Sequence, residues 1–84
     1  GGFYYYQTLG FKVVDEQLGE LGTVKEYIDG AAHDLMVMEY EGKEVLVPVT
    51  DMFIPRADLP SKTLHTRLPE GLLDLYLGTD TDDE

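Results

Sequence analysis

The 84-residue sequence contains no cysteine, which removes disulfides, thiolate metal sites and cysteine nucleophiles together. A chain of this size must then hold itself together by packing alone, with a stability on the order of a few kcal/mol. Bases are scarce as well, 6 lysines and arginines against 17 acids, for a net charge of -11. Such a surface does not hold nucleic-acid phosphates strongly by itself, and a basic partner suits it better. No apolar run approaches the ~20 residues of a membrane helix, and no basic segment followed by an apolar stretch opens the chain. Neither a membrane partner nor a signal peptide is expected, and the cytoplasm is the default location. One small domain also leaves no room for a separate cofactor domain, and no cofactor is expected.

Hydrophobic residues make up 43% of the chain, enough to build a core in spite of the charge. Residues 1–77 read as one domain, and residues 78–84, with Asp80, Asp82, Asp83 and Glu84, as an acidic disordered tail. Gly1-Gly2 reads as a linker or a cloning scar, so the chain is expected to be part of a longer one.

Short segments rich in Val, Leu and Tyr, separated by glycine turns, predict a small all-β antiparallel barrel or sandwich. Strands are expected at Phe11 to Asp15, Leu21 to Asp29, Asp34 to Tyr40, Lys43 to Val49 and Thr63 to Leu68. In the second, Glu26 falls between Val24 and Ile28, a four-residue spacing that also suits a helix turn, and Gly22-Thr23 points to a bent strand with a bulge. Asp34 to Tyr40 is apolar in both phases, as in a strand buried on both sides or facing a partner. Glu41-Gly42 between two apolar runs is a hairpin signal, and Pro48 belongs at a strand end or on an edge. Alternation assigns Phe11, Val13, Val24, Leu35, Val37, Val45, Val47 and Leu64 to the core. Pro69 to Leu77 has room for a short helical turn that docks Leu72, Leu73 and Tyr76 on the barrel.

Catalytic templates find few groups to use. His33 and Asp34 are neighbours, which a strand would point to opposite faces, and a loop histidine beside a turn-forming aspartate is the simpler reading. His65 has no second ligand at metal spacing and reads as a solvent-facing strand residue. Ser61, the only serine, follows Pro60 in a turn without a nucleophile-elbow context. The glycines form no phosphate-cradling loop and the acidic tail no calcium loop. No catalytic residue and no metal ligand is assigned, and the chain is not expected to be an enzyme.

The feature left over is Phe3-Tyr4-Tyr5-Tyr6, four consecutive aromatics near a terminus. In an extended segment Phe3 and Tyr5 point one way and Tyr4 and Tyr6 the other, so one pair can bury while the other meets a partner. Tyrosine is enriched at interface hot spots, and these four are the candidate partner-binding residues. The alternative is that all four cover the core or a preceding domain.

Taken in order, several motifs resemble the C-terminal PRC-barrel domain of the RimM ribosome maturation factors. They are the aromatic opening, Leu9-Gly10 into Phe11-Lys12-Val13-Val14, Leu21-Gly22-Thr23-Val24, Gly30 to Val37, Glu44-Val45-Leu46-Val47-Pro48, Asp58-Leu59, and Leu68-Pro69-Glu70-Gly71-Leu72-Leu73-Asp74. His33 and Gln7 depart from the pattern, and Pro55-Arg56-Ala57 interrupts the apolar stretch before Asp58-Leu59. The resemblance implies a small antiparallel PRC-type barrel and an N-terminal barrel domain elsewhere in the protein. It implies binding to the small (30S) ribosomal subunit through a head protein, the nineteenth small-subunit ribosomal protein, with assistance to assembly and 16S rRNA processing. It also places the family's adjacent aromatic pair on Phe3-Tyr4 and its following tryptophan on Tyr5. A second PRC-barrel use, similar to the cytoplasmic domain of the photosynthetic reaction-centre H subunit, is the alternative.

Overall fold

The computed structural model describes residues 5–74, with side chains from Gln7 onward. A 3-10 helix, Tyr5–Thr8, precedes six strands: β1 (Lys12–Asp15), β2 (Gly19–Ile28), β3 (Leu35–Tyr40), β4 (Lys43–Pro48), β5 (Arg56–Asp58) and β6 (Thr63–Thr66). They form one sheet in the order β4-β3-β2-β1-β6-β5. The architecture is the expected small all-β, barrel-like one, although the outermost strands β4 and β5 do not pair to close it.

One pairing differs from a wholly antiparallel barrel. β1 and β6 run parallel, Lys12 opposite Thr63 and Asp15 opposite Thr66. Parallel neighbours need a long crossover between them. Here the crossover is the β2–β4 meander plus the loop after Pro48. That loop buries Ile54 and carries the chain past β1 to β5, whose antiparallel hairpin with β6 brings β6 back in β1's own direction. β5, only three residues long, was hidden in the sequence by Pro55-Arg56-Ala57.

β2 is long because it bends twice. Its register slips against β1 between Lys12 and Val14 and against β3 between Val24 and Glu26, each time with the extra residue on β2. The slip at Lys25 resolves the conflict in the sequence pattern. Val24 pairs with Met38 and Tyr27 with Met36, so both face the core although they are three residues apart, while Ile28 is turned outward. Gly22 lets β2 come close to β3, since a Cβ there would lie 1.8 Å from the Glu39 carbonyl oxygen. The Glu41-Gly42 hairpin is confirmed, with φ of 52° and 81° as a two-residue turn of this hand requires. Pro48 ends β4, the edge strand, where a missing donor costs least.

Seven of the eight expected core residues are buried, and Leu35 is not. The hairpin register pairs Met36 with Val47 and Met38 with Val45, which gives the interior to the methionines and leaves Leu35 half-buried on the opposite face. Val37 shares that outer phase, yet is 2% exposed, so β3 is buried on both sides at its centre. At the other end residues 72–74 are helical, and Leu72 and Leu73 pack on the core. Tyr76 and the acidic tail lie outside the described residues.

Candidate partner-binding surfaces

The aromatic opening leads into a firmly attached segment. Thr8, at the end of the 3-10 helix, is fully buried, and its hydroxyl lies 2.7 Å from the Tyr27 hydroxyl. The Phe11 N–H donates to the Thr8 carbonyl at 3.0 Å, and the Gly10 N–H to the Val24 carbonyl at 2.8 Å. Gly10 makes the corner at a φ of 83°. Of the four candidate contact residues, Phe3 and Tyr4 lie outside the described residues, whereas Tyr5 and Tyr6 begin the 3-10 helix. Strict alternation does not extend over Tyr5 and Tyr6, because a 3-10 helix repeats every three residues and not every two. The chain coils where Thr8 turns inward to Tyr27.

The outer face of the meander is acidic. Glu39 of β3 stands directly opposite Glu44 of β4, a pairing of like charges that destabilises a sheet unless a cation intervenes. Lys25, the bulge residue of β2, supplies it through an ion pair with Glu44. That hydrogen bond and the Glu44 charge, with Glu39 and Glu26 behind them, push the Lys25 ammonium above its ordinary pKa. One lysine thus serves three glutamates, and the face keeps a negative field.

The histidines are not brought together. His33 is exposed in the bend after Gly30, and His65 is half-buried on β6 opposite Val14 and Arg56. Among the described residues no group of three His, Asp or Glu side chains could hold a metal. Ser61 is exposed in the β5–β6 turn.

A second surface, which sequence reasoning missed, lies where the β1–β2 turn, the end of β3 and residues 68–74 meet. It is an open groove of about 460 Å³ lined by the apolar Leu18, Tyr40, Leu68 and Leu73 and by the acidic Glu70 and Asp74. Its walls come from three distant parts of the chain. The only local signal was Leu18, a large apolar residue in a glycine turn, now 55% exposed.

The sheet order, the bulged second strand and the hairpin-to-proline edge define a small barrel-like β domain, and comparison with known proteins narrows the class. Residues 6–72 match the RimM PRC barrel domain model. The chain is similar to the ribosome maturation factor RimM of Christiangramia forsetii, with 38% identity over 76 residues, covering 90% of this chain and 43% of that protein. It is similar also to the ribosome maturation factor RimM of Syntrophotalea carbinolica, with 40% identity over 73 residues, covering 87% and 42%. Among solved structures, a Pseudomonas aeruginosa protein assigned as the 16S ribosomal RNA processing protein RimM aligns with a TM-score of 0.70 and 26% identity, over 80% of this chain and 44% of its own. The chain belongs to the RimM PRC-barrel domain family. It spans less than half the length of the curated relatives it matches. Those relatives carry the name of a maturation factor and not of an enzyme, in agreement with the non-catalytic reading of the sequence.

Proposed function

We propose that this domain is the partner-binding part of a ribosome maturation factor. It holds a basic protein of the small (30S) subunit head, the nineteenth small-subunit ribosomal protein, and so assists subunit assembly and 16S rRNA processing in the cytoplasm. The observation that carries this reading is the family match over residues 6–72. Charge supports it too: Glu26, Glu39 and Glu44 attract a basic surface and repel bare RNA. In this division of labour the acidic body speeds encounter, and an apolar anchor sets the lifetime of the complex. Phe3, Tyr4, Tyr5 and Tyr6 are that anchor. The domain performs no chemistry and favours a correctly assembled head by binding it. The match to the RimM PRC barrel domain favours this reading over the reaction-centre type of PRC barrel.

The test is binding of this chain to the purified ribosomal protein and to assembling small subunits. Binding to the protein that weakens when Tyr4 and Tyr5 become alanine supports the reading. Binding to bare 16S rRNA alone contradicts it.

A further inference from the structure

The groove beside the β1–β2 turn is built from fixed parts. The Asp15 carboxylate, buried at the end of β1, accepts through one oxygen from the backbone N–H groups of Gln17 and Leu18, at 3.0 and 3.2 Å. Its other oxygen accepts from the Leu68 N–H at 2.7 Å. Two lining segments, the turn carrying Leu18 and the strand exit carrying Leu68, therefore hang from a single side chain. These bonds hold the backbone that carries Leu18, which is 55% exposed, and a preformed backbone lowers the ordering cost of binding.

The groove's chemistry is equally one-sided. Leu18, Tyr40, Leu68 and Leu73 give it apolar walls, Glu70 and Asp74 give it charge, and among the described residues no lysine, arginine or histidine lines it. Arg67, next to Leu68 in sequence, is engaged by Glu16 through two bonds of 2.9 and 3.0 Å, and Lys43, the cross-strand partner of Tyr40, is not among the groove's described lining residues. Burial, a hydrogen bond with Glu41 and the charge of Asp74 raise the Tyr40 hydroxyl above its usual pKa, so it stays a neutral wall. We infer that this groove docks a short basic, aliphatic segment of a partner protein, the aliphatic side chains seated between Leu18 and Leu73 and the basic ones over Glu70 and Asp74.

Charge selects this occupant from the others. Glu70 and Asp74 repel RNA, and a second copy of the chain brings the same -11. The chain's own last five residues carry four acids and are repelled as well. A volume of about 460 Å³ takes the side chains of a short segment but not a folded surface. The inference goes beyond the proposed function, since none of the groove's described lining residues belongs to the aromatic opening, and the two readings can fail separately.

The experiment is an amide chemical-shift titration of the isotopically labelled 84-residue chain. The probes are a short synthetic peptide alternating lysine and leucine, the same peptide with glutamate for lysine, an oligolysine and an oligouridine. The inference predicts that only the lysine–leucine peptide shifts the amides of Leu18, Leu68 and Leu73. Leu18→Ser should weaken it about tenfold, and Glu70→Lys with Asp74→Lys by a similar factor. These three side chains are on exposed residues, so thermal unfolding should stay near that of the parent. Tyr5→Ala should leave peptide binding unchanged, whatever it does to binding of the ribosomal protein. Equal shifts with oligolysine would mean charge alone and would overturn the inference, as would oligouridine binding, shifts confined to the β2–β4 face, or indifference to Leu18→Ser. Binding that emerges only after removal of residues 78–84 would assign the groove to the chain's own tail and would equally end it.

Discussion

Asp15 accepts a hydrogen bond from the backbone N–H of Leu68 at 2.7 Å, across 53 positions in the chain. The same oxygen accepts from the Thr66 hydroxyl at 2.8 Å, and the partner oxygen serves the turn at Gln17 and Leu18. One carboxylate thus closes the parallel β1–β6 pair and shapes the turn that follows β1. Truncation in Asp15→Ala leaves buried donors at Leu68 and Thr66 without an acceptor. Each such donor costs about 1–3 kcal/mol, so a loss of about 3 kcal/mol is expected in urea unfolding at neutral pH.

The same contacts set a pH dependence. Burial raises the pKa of Asp15, but the hydrogen bonds from Leu68, Gln17, Thr66 and Leu18 outweigh it and hold the carboxyl below its ordinary value. A depressed folded-state pKa contributes stability above the unfolded value of about 3.9, and this is lost as pH falls through the folded one. In Asp15→Asn the amide nitrogen faces donors on one side, so the variant is less stable at neutral pH. The gap between the two proteins should stay constant from about pH 7 to about pH 5 and narrow below about pH 4. A gap that widens in acid would reverse the sign and refute the assignment.

Gly22 sits where β2 passes close to the β3 backbone. A Cβ there lies 1.8 Å from the Glu39 oxygen, which is backbone of a central strand and cannot move aside cheaply. Gly22→Ala is expected to cost about 3 kcal/mol or to prevent folding, as seen in thermal unfolding followed by circular dichroism. Arg67→Ala, which breaks only the exposed pair with Glu16, should leave the melting temperature near that of the parent.

The phase of β3 can be tested by a pair of truncations. Met36 is fully buried against Val47, while Leu35 is half-buried on the outer side. Met36→Ala should cost about 3 kcal/mol, and Leu35→Ala about 1 kcal/mol or less. The reverse order would restore the phase read from alternation alone.

The contrast between Leu35 and Met36 marks how far the sequence could be read. Glu41-Gly42 and Pro48 are local signals: a turn needing positive φ and a residue lacking a donor constrain the backbone within a few positions, and both fell where expected. A strand apolar in both phases carries no such instruction, and its phase was decided by the register with β4. The bend of β2 was legible at Gly22-Thr23, whereas the broken alternation around Glu26 left the slip at Lys25 open, and only the pairing with β3 reveals which side chains it turns inward. β5 escaped because three residues around a proline are too short for a period. The groove and its Asp15 support were hidden for a different reason: contacts across about fifty positions leave no local pattern. The aromatic opening was conspicuous by composition, and its proposed role rests on a partner the fold does not contain.

The central claim is that aromatic residues anchor, and an acidic body steers, a basic protein of the small subunit. The most direct measurement is the association and dissociation kinetics of this chain with the nineteenth small-subunit ribosomal protein, for the parent and for Tyr4→Ala and Tyr5→Ala, at low and high salt. Each substitution should speed dissociation, lowering affinity by about 2 kcal/mol or roughly thirtyfold, with association little changed. Added salt should slow association of all the proteins alike. Unchanged dissociation together with a large fall in melting temperature would show that the aromatics serve the core and would contradict the account.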